Sequence, residues 1–356
     1  MPDAREPDAH RREERAPREG GSPRARAAAK PATAAARPVI AVFGPTGVGK
    51  TAVAVAVAER LRARGERPVA VSADALQVYA GLEILTGVAS PAERERLEHR
   101  LVSFLPVDAT SSAGEYAQRA HAEIDGLLAE GATPIVVGGT GLYLRAALAE
   151  LEMRPSVPAE TLAAYAARET AALEAELRDR APHLAERIER GDRQRLIRAL
   201  ALHELGVEYP PARREEGGAP HGEGPAPRGE AAGTGLWTAD TRHPTRLVAL
   251  VMDREALYSA IDARVDAMVA AGAIEEVARA DADGASPTAR KALGFADLLT
   301  AAHDPAARDA AIEAMKRRTR QYARRQLTWL RKLPNAERHD VTGRTADEVA
   351  DAITSA

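Results

Sequence analysis

The sequence predicts an α/β fold in which a parallel sheet core is interrupted by a mostly helical insertion and followed by C-terminal helices. Short apolar runs alternate with helical stretches in the first half of the chain, which is typical of a doubly wound sheet. Strand-like runs then disappear between residues 150 and 205, and one returns at 247–251. A chain of 356 residues usually needs more than one core, so two compact units or one domain with a large insertion are expected.

The predicted strands of the first half are four short, mostly apolar runs, at residues 39–43, 68–72, 100–104 and 134–137. Residues 51–62 are expected to form a helix directly after the first strand. Ser112 and Glu115 have the spacing of a capping box, so a further helix should begin there and end near Glu130.

A phosphate-binding motif follows the first predicted strand. Its sequence GPTGVGKT fits the pattern GxxxxGK[ST] and comprises Gly44, Pro45, Thr46, Gly47, Val48, Gly49, Lys50 and Thr51. In such a loop the glycines let backbone N–H groups point at phosphate oxygens, and Lys50 adds a positive charge. The Thr51 hydroxyl is placed to ligate Mg²⁺ at the start of a helix. The sequence therefore predicts a P-loop NTPase-like core that binds a di- or triphosphate.

Two further segments follow predicted strands and should meet the phosphate loop in one crevice. Asp74 comes after the second strand, and the sequence Gly-Gly-Thr-Gly at 138–141 comes after the fourth. Ligands of open α/β sheets bind at the carboxyl ends of strands. A P-loop hydrolase normally carries an acid after such a strand to hold Mg²⁺, and 138–141 contains none. Asp74 could bind a metal through water, cap a helix or act as a general base.

Composition excludes some classes of protein. The chain has no cysteine, so it has no disulfide, no thiolate metal site and no thiol nucleophile. Its net charge of −3 neither favours nor excludes a nucleic-acid partner. No run approaches the roughly 18 apolar residues of a membrane helix, and the start of the chain lacks a signal-peptide core. We expect a soluble, cytoplasmic protein with no membrane partner.

The domain organisation follows from composition and pattern. Residues 1–37 and the stretch around 210–235 are rich in Pro, Gly, Ala and charged residues and contain few large apolar side chains, so they should not fold by themselves. We expect a disordered tail at 1–37, the first part of the core at 38–149, a helical insertion at 150–206, a flexible loop at 207–242, and the remainder of the core with basic C-terminal helices at 243–356.

The last long helix, predicted at 307–333, carries charge of one sign. Its basic residues, with no acid between the first and the last, are Lys316, Arg317, Arg318, Arg320, Arg324, Arg325, Arg331 and Lys332. A solvated basic face and an RNA-binding surface are both consistent with this charge.

Several segments together resemble the tRNA dimethylallyltransferases. They are GPTGVGKT, SADALQVY at 72–79, GGTGLYLRA at 138–146, DRQRLIRAL at 192–200 and RQYARRQLTW at 320–329. They occur in the order of that family and span residues 39–333. The resemblance implies a P-loop α/β core with a helical insertion. It also implies transfer of a dimethylallyl group from dimethylallyl diphosphate to N6 of the adenosine 3′ of the anticodon, in tRNAs that read codons starting with U.

The resemblance also implies roles for individual residues. The phosphate loop would bind the diphosphate of the prenyl donor with Mg²⁺ on Thr51, and Asp74 would be the general base. Arg264 would assist the departing diphosphate, and Thr140 would help to position the target base. The residues implied to contact the tRNA anticodon stem-loop are Asp74, Ala75, Leu76, Gln77, Thr140, Gln194, Arg195, Leu196, Ile197 and Arg198. For Arg195 and Arg198 alone, ion pairs within a helix would be the commoner explanation. We expect the protein to act as a monomer.

Some positions depart from the family pattern. Many relatives read DSxQVYRGMDIGTAK, whereas this chain has Ala75 for Ser, Ala80 for Arg, Leu85 for Gly and Val88 for Lys. The losses at 80 and 88 remove two positive charges that could contact phosphate or RNA. Ala260 also stands where relatives often have Arg. The phosphate loop and Asp74 follow the pattern.

Three alternatives stay open on sequence alone. A small-molecule P-loop kinase would use the same loop, with Asp74 as the base toward a hydroxyl, but would not need the basic helix. A non-catalytic RNA-binding protein would need the basic helix but not an intact loop. A prenyltransferase that acts on free adenine nucleotides would share the donor site and differ only in the acceptor.

Overall fold

A parallel sheet forms the centre of the molecule and positions the phosphate loop at its middle. The computed structural model describes residues 38–150, 157–207, 241–331, 333 and 335–355. Within them the strands are β1 Val39–Phe43, β2 Pro68–Ser72, β3 His99–Arg100, β4 Thr133–Gly138, β5 Thr245–Val251 and β6 Glu337–Asp340. Their order is β3-β2-β4-β1-β5-β6, and each neighbouring pair is parallel. The predicted α/β class is confirmed.

Helices cover the sheet and make up most of the stretch 157–207. In the described part of the chain they are α1 Lys50–Ala63, α2 Glu83–Thr86, α3 Pro91–Arg96, α4 Ala113–Ala129, α5 Gly141–Leu148, α6 Ala159–Ala166, α7 Thr170–Arg180, α8 Pro182–Ala185, α9 Arg193–Glu204, α10 Arg254–Ala270, α11 Ala273–Ala282, α12 Phe295–His303, α13 Arg308–Arg331 and α14 Ala346–Thr354. Helix α4 begins as predicted, because the Ser112 side chain accepts from the Glu115 N–H and Glu115 bonds back in a capping box.

Among the described residues the hydrophobic core has three parts. Successive strand residues point to opposite faces of the sheet, so Val39, Ala41 and Phe43 pack in one cluster and Ile40 and Val42 in another. A third cluster consists of residues from the stretch 157–207, in helices α6 to α9. After this stretch the chain returns through β5, which pairs with β1. The sheet is thus assembled from segments that lie on both sides of the helical stretch.

Two strands differ from the sequence prediction. The expected strand at 100–104 is wrong, because only His99 and Arg100 pair with β2. Leu101 and Ser103 have φ of 58° and 48°, which takes the backbone out of the extended conformation. Strand β6 was not predicted, because its sequence ERHD contains no apolar residue. It lies at the edge of the sheet, where a strand needs no apolar run.

Two predicted segments lie outside the residues that the structure describes. They are the expected disordered tail at 1–37 and nearly all of the expected flexible loop at 207–242. Among the residues that are described, no helix combines the length and the apolar character needed to span a bilayer.

Candidate active site

Two adjoining cavities open at the carboxyl ends of β1, β2 and β4. The first, about 500 Å³, is lined by the phosphate loop, residues 83–84 and 86–90, and the start of the turn that follows β4. The second, about 250 Å³, is lined by Thr140, residues of α13 and a set of apolar side chains. Asp74 and Arg264 line both. The structure therefore brings together the three segments expected to converge, and it places the carboxylate of Asp74 where the two cavities meet.

The apolar side of the second cavity can accommodate a flat or hydrocarbon group. Its apolar lining residues are Ala75, Leu76, Leu85, Val265, Met268, Leu293 and Met315. Polar groups lie at its margin, including the Thr140 hydroxyl, which is 2.9 Å from the Tyr322 hydroxyl. The predicted RNA-contacting residues Ala75 and Leu76 line this cavity. A pocket of this kind suits a largely apolar ligand held by a few polar groups.

The phosphate loop joins β1 to α1 and is tied down by side chains. Lys50 is the first residue of α1, and its Nζ donates to the Pro45 carbonyl at 2.9 Å. The Thr46 N–H donates to Gln326 Oε1 at 2.8 Å. Val48 is buried in the core, so only its backbone can contact a phosphate. Among the loop residues, Thr46, Gly47, Gly49, Lys50 and Thr51 line the first cavity.

Lys50 is poised to change its charge when an anion binds. Burial, together with the positive charge of Arg264, lowers the pKa of the Lys50 ammonium to about 7, even though Asp74 opposes the shift. A bound diphosphate would place negative charge beside the ammonium and restore the ordinary pKa. Near pH 8 Lys50 is therefore mostly neutral in the free protein and charged in the complex.

We expect diphosphate binding to take up about one proton at Lys50 at pH 8 and almost none at pH 6, where Lys50 is already charged. Calorimetric titrations with dimethylallyl diphosphate, in buffers of different ionisation enthalpy, measure this uptake. Protons that the ligand itself takes up are corrected for by subtracting the proton uptake measured with the Lys50→Gln variant. An equal uptake by the wild type and the variant at pH 8 would contradict the assignment.

Asp74 is oriented by its own backbone. Its Oδ1 accepts a hydrogen bond from the Leu76 N–H at 2.9 Å, which fixes the carboxylate after β2. Among the described residues, no donor is bonded to its second oxygen, so Oδ2 can receive a proton from a ligand in either cavity. The next residues are also fixed, because Gln77 accepts from the Ser72 hydroxyl at 2.8 Å and donates to the Gly87 carbonyl at 3.1 Å.

Arg264, on α10, reaches the junction of the cavities because Gly87 leaves room for it. A Cβ at position 87 would lie 1.8 Å from Arg264 Nη2, and Gly87 has a φ of 62°. Burial lowers the pKa of Arg264, while the carboxylates of Asp74 and Glu93 oppose that shift. Within the described chain the buried Arg264 Nε has no hydrogen-bond partner. An anionic ligand in the first cavity would provide one.

The long helix α13 presents two chemically different faces. Arg317, Arg324 and Arg331 are exposed and recur at every seventh residue, and Arg318 and Arg325 are exposed beside them. On the opposite side Ala323 and Gln326 are buried. Three of the predicted basic residues are paired within the protein: Arg320 with Asp262, Lys316 with Asp266 and Glu313, and the exposed Arg318 with Asp297. The cationic surface is therefore narrower than the sequence indicated.

The other segment predicted to contact RNA lies on α9. Gln194, Arg195 and Arg198 are exposed there, whereas Leu196 is buried in the third hydrophobic cluster. Arg195 Nε lies 3.4 Å from the Asp192 carboxylate, as expected for an ion pair within a helix. Ile197 packs partly buried against the same cluster. The segment can thus meet a partner through Gln194, Arg195 and Arg198 and not through the Leu196 side chain.

The predicted magnesium ligand has a suitable environment. In the described part of the chain, no group of three or more His, Cys, Asp or Glu side chains could hold a metal by itself. Mg²⁺ usually keeps several waters and takes one or two protein ligands together with phosphate oxygens. Thr51 lines the first cavity beside Lys50. A single hydroxyl at the rim of a diphosphate site therefore fits a magnesium ion that the substrate itself helps to bind.

Sequence reasoning missed three residues at this site. Gln326 bonds the phosphate loop and the turn after β4, Tyr322 bonds Thr140, and Gly87 accommodates Arg264. Gln326 and Tyr322 lie in the segment RQYARRQLTW that carried part of the resemblance, so that segment was a signal for them. No local pattern marks Gly87, since its role depends on an arginine from a distant helix.

A phosphate loop on a parallel sheet, beside a second cavity that shares a carboxylate with it, is the arrangement of a P-loop protein with two adjoining ligand cavities. Residues 77–333 match the family described as IPP transferase, and the chain belongs to that family.

Individual relatives agree with this assignment. The chain is 36% identical to the tRNA dimethylallyltransferase of Kineococcus radiotolerans, with 83% of this chain and 89% of the relative covered. It is 39% identical to that of Pseudarthrobacter chlorophenolicus, with 83% and 91% covered. The crystal structure of the full-length tRNA isopentenylpyrophosphate transferase from Bacillus halodurans superimposes with a TM-score of 0.61 at 26% identity, covering 90% of this chain and 96% of that one.

Proposed function

We propose that this protein is a tRNA dimethylallyltransferase. It transfers a dimethylallyl group from dimethylallyl diphosphate to N6 of the adenosine 3′-adjacent to the anticodon, in tRNAs that read codons starting with U. The observation that carries the proposal is the position of Asp74, which lies at the junction between a cavity with a phosphate loop and a mostly apolar cavity beside α13. The family to which the chain belongs supports the same function.

The two cavities would receive the two substrates. The diphosphate of the donor would lie in the first cavity against the N–H groups of the loop, the Lys50 ammonium and the Arg264 guanidinium. The target adenine would enter the second cavity among its apolar side chains, with the Thr140 hydroxyl at its margin. A base in an anticodon loop is cheaper to unstack than a paired base, so it can be turned out into such a cavity.

The reaction exchanges one bond for another at the allylic carbon. The C1–O bond of the donor breaks and its electron pair leaves with the diphosphate, while the N6 lone pair of adenine forms the new N–C bond. Asp74 accepts the N6 proton, which makes the weakly nucleophilic amine competent. Lys50, Arg264 and the loop N–H groups stabilise the growing charge of the diphosphate. Mg²⁺, when bound at Thr51, would supply further neutralisation of that charge.

One experiment separates this function from its rivals. The purified protein is incubated with dimethylallyl diphosphate, Mg²⁺ and unmodified tRNA that reads codons starting with U, and parallel reactions contain AMP or ATP. Nucleoside mass spectrometry should find a dimethylallyl mass gain on the adenosine beside the anticodon. Gain only on AMP or ATP would instead identify a nucleotide prenyltransferase. Gain on neither acceptor would contradict prenyl transfer and return attention to a kinase, for which consumption of the ATP γ-phosphate is the assay.

The exposed arginines of α13 should supply part of the RNA affinity. We expect Arg324→Ala to weaken anticodon stem-loop binding and to reduce the slope of log affinity against log salt by about 1, because one phosphate contact is lost. Diphosphate affinity should stay the same. Fluorescence anisotropy at several salt concentrations measures the slope, and Arg62→Ala, at an exposed position of α1, is the matched control. Equal slopes for the two variants would exclude Arg324 from the RNA surface.

A further inference from the structure

Gln326 connects two parts of the donor site that are distant in sequence. Its side-chain Nε2 donates to the Gly139 carbonyl at 2.7 Å, and its Oε1 accepts from the Thr46 N–H at 2.8 Å. The residue is only 4% exposed. A single amide therefore satisfies one backbone group of the phosphate loop and one of the turn after β4, and either group would be costly to leave unpaired in a buried place.

The contact is close enough to set the geometry of the donor cavity. A Cβ at position 139 would lie 2.4 Å from Gln326 Nε2, 3.3 Å from the Gly44 carbonyl and 3.4 Å from Lys50 Nζ. The turn thus lies directly against the phosphate loop, and the amide of Gln326 occupies the remaining space. Displacement of Gln326 would shift the Thr46 N–H and change how the loop faces a diphosphate.

The same helix carries the surface proposed to contact RNA. Arg324 and Arg325 immediately precede Gln326 and are exposed. One turn earlier, the Tyr322 hydroxyl oxygen lies 2.9 Å from the Thr140 hydroxyl oxygen. Rigid secondary elements and hydrogen-bond networks are among the structures that can carry coupling between two sites. Helix α13 therefore joins the cationic surface to both the phosphate loop and the segment 138–141.

We propose that Gln326 is a positioning residue that couples RNA binding on α13 to diphosphate binding in the phosphate loop. The proposal rests on the proposed function only in taking tRNA as the ligand of the cationic face. RNA seated on the exposed arginines fixes α13, and Gln326 then holds the Thr46 N–H and the Gly139 carbonyl in the arrangement that fits a diphosphate. By thermodynamic reciprocity, diphosphate must tighten RNA binding by the same factor.

The test measures that factor directly. Affinity for a fluorescent anticodon stem-loop is determined by anisotropy without diphosphate and with saturating inorganic diphosphate and Mg²⁺, which do not react. For the wild type we expect RNA affinity to rise about 5-fold or more, the lower end of typical coupling between sites. In Gln326→Glu a carboxylate oxygen faces the Gly139 carbonyl, and in Gln326→Asn the shorter side chain cannot reach both groups. Without diphosphate, both variants should bind RNA with the wild-type affinity. Diphosphate should not change that affinity, so the ratio of RNA affinity with diphosphate to RNA affinity without it should be near 1.

The matched controls are Gln118→Glu and Gln118→Asn, which make the same chemical changes at an exposed position of α4. They should retain the wild-type ratio. A ratio of 1 in the wild type, or an undiminished ratio in both Gln326 variants, would overturn the proposal. Failure of the wild type to bind the stem-loop at all would overturn the proposed function with it. If the Gln326 variants show normal prenyl transfer and undiminished coupling, the coupling role of Gln326 is rejected and the proposed function stands.

Discussion

Asp74→Asn is expected to lower the rate of prenyl transfer about 10³-fold, within the range of general-base contributions, and to change tRNA affinity by less than about twofold. Asparagine keeps an oxygen that can accept the Leu76 N–H, so the local turn should survive. What it loses is the ability to take a proton from N6. Single-turnover rates with saturating tRNA and dimethylallyl diphosphate measure the chemical step, and tRNA binding is measured separately.

The control for this substitution is Asp108→Asn, which makes the same change at an exposed position beyond the two cavities' lining residues. It should leave both rate and affinity unaltered. Asp74→Ala should also retain tRNA binding and lose most prenyl transfer, although it removes the acceptor for the Leu76 N–H as well. If Asp74→Asn turns over at the wild-type rate, Asp74 has no part in the proton transfer.

The sheet was predictable wherever burial gives a strand its apolar run. β1, β2 and β4 are central strands, and their sequences are almost wholly apolar. The edges were not predictable on this basis. β6 lies at one edge and carries only polar and charged side chains, whereas β3 at the other edge stops after two residues because Leu101 takes a left-handed conformation. Strand prediction from apolar runs thus fails where a strand is exposed or where backbone torsion ends it.

The site was predictable to the extent that its chemistry lies in short motifs. The phosphate loop, Asp74 and Thr140 each follow a strand, and topology alone brings them to one edge of the sheet. The supporting contacts follow no such rule. Thr46 and Gln326 are 280 residues apart, and only the folded chain shows that an amide on α13 joins the loop to the turn. Long-range contacts of this kind leave no periodic trace in a single sequence.

The positive charge at the diphosphate site comes from few side chains. Lys50 and Arg264 are the basic residues that line the first cavity in the described structure, and the acids Asp74, Glu83 and Glu93 line it as well. Val88, which replaces a lysine of the family pattern, lines the same cavity and adds no charge. Stabilisation of a leaving diphosphate should therefore depend heavily on Arg264. Prenyl transfer should therefore be sensitive to substitution of Gly87, which lies beside the Arg264 guanidinium.

Gly87→Ala introduces the alanine that the family pattern has at this position, and it is expected to lower kcat/KM for dimethylallyl diphosphate about 10-fold, because a group that stabilises transition-state charge is displaced and not removed. The new Cβ would lie 1.8 Å from Arg264 Nη2 and 3.1 Å from Met268 Cε, so the guanidinium must leave its place. RNA affinity without donor should be unaffected, because the displaced group is buried at the junction of the cavities and α13 keeps its exposed arginines.

The effects of backbone strain and of Arg264 displacement on kcat/KM can be distinguished by the same substitution at a second glycine. Gly81 also has a left-handed φ, of 86°, but a Cβ there would meet nothing within 4 Å. Gly81→Ala should therefore carry a similar conformational cost, about 1 kcal/mol of stability, with kcat/KM unchanged. A comparable fall in kcat/KM for both variants would assign the effect to backbone strain in this segment. A fall confined to Gly87→Ala would show that the space beside Arg264 is what the reaction requires.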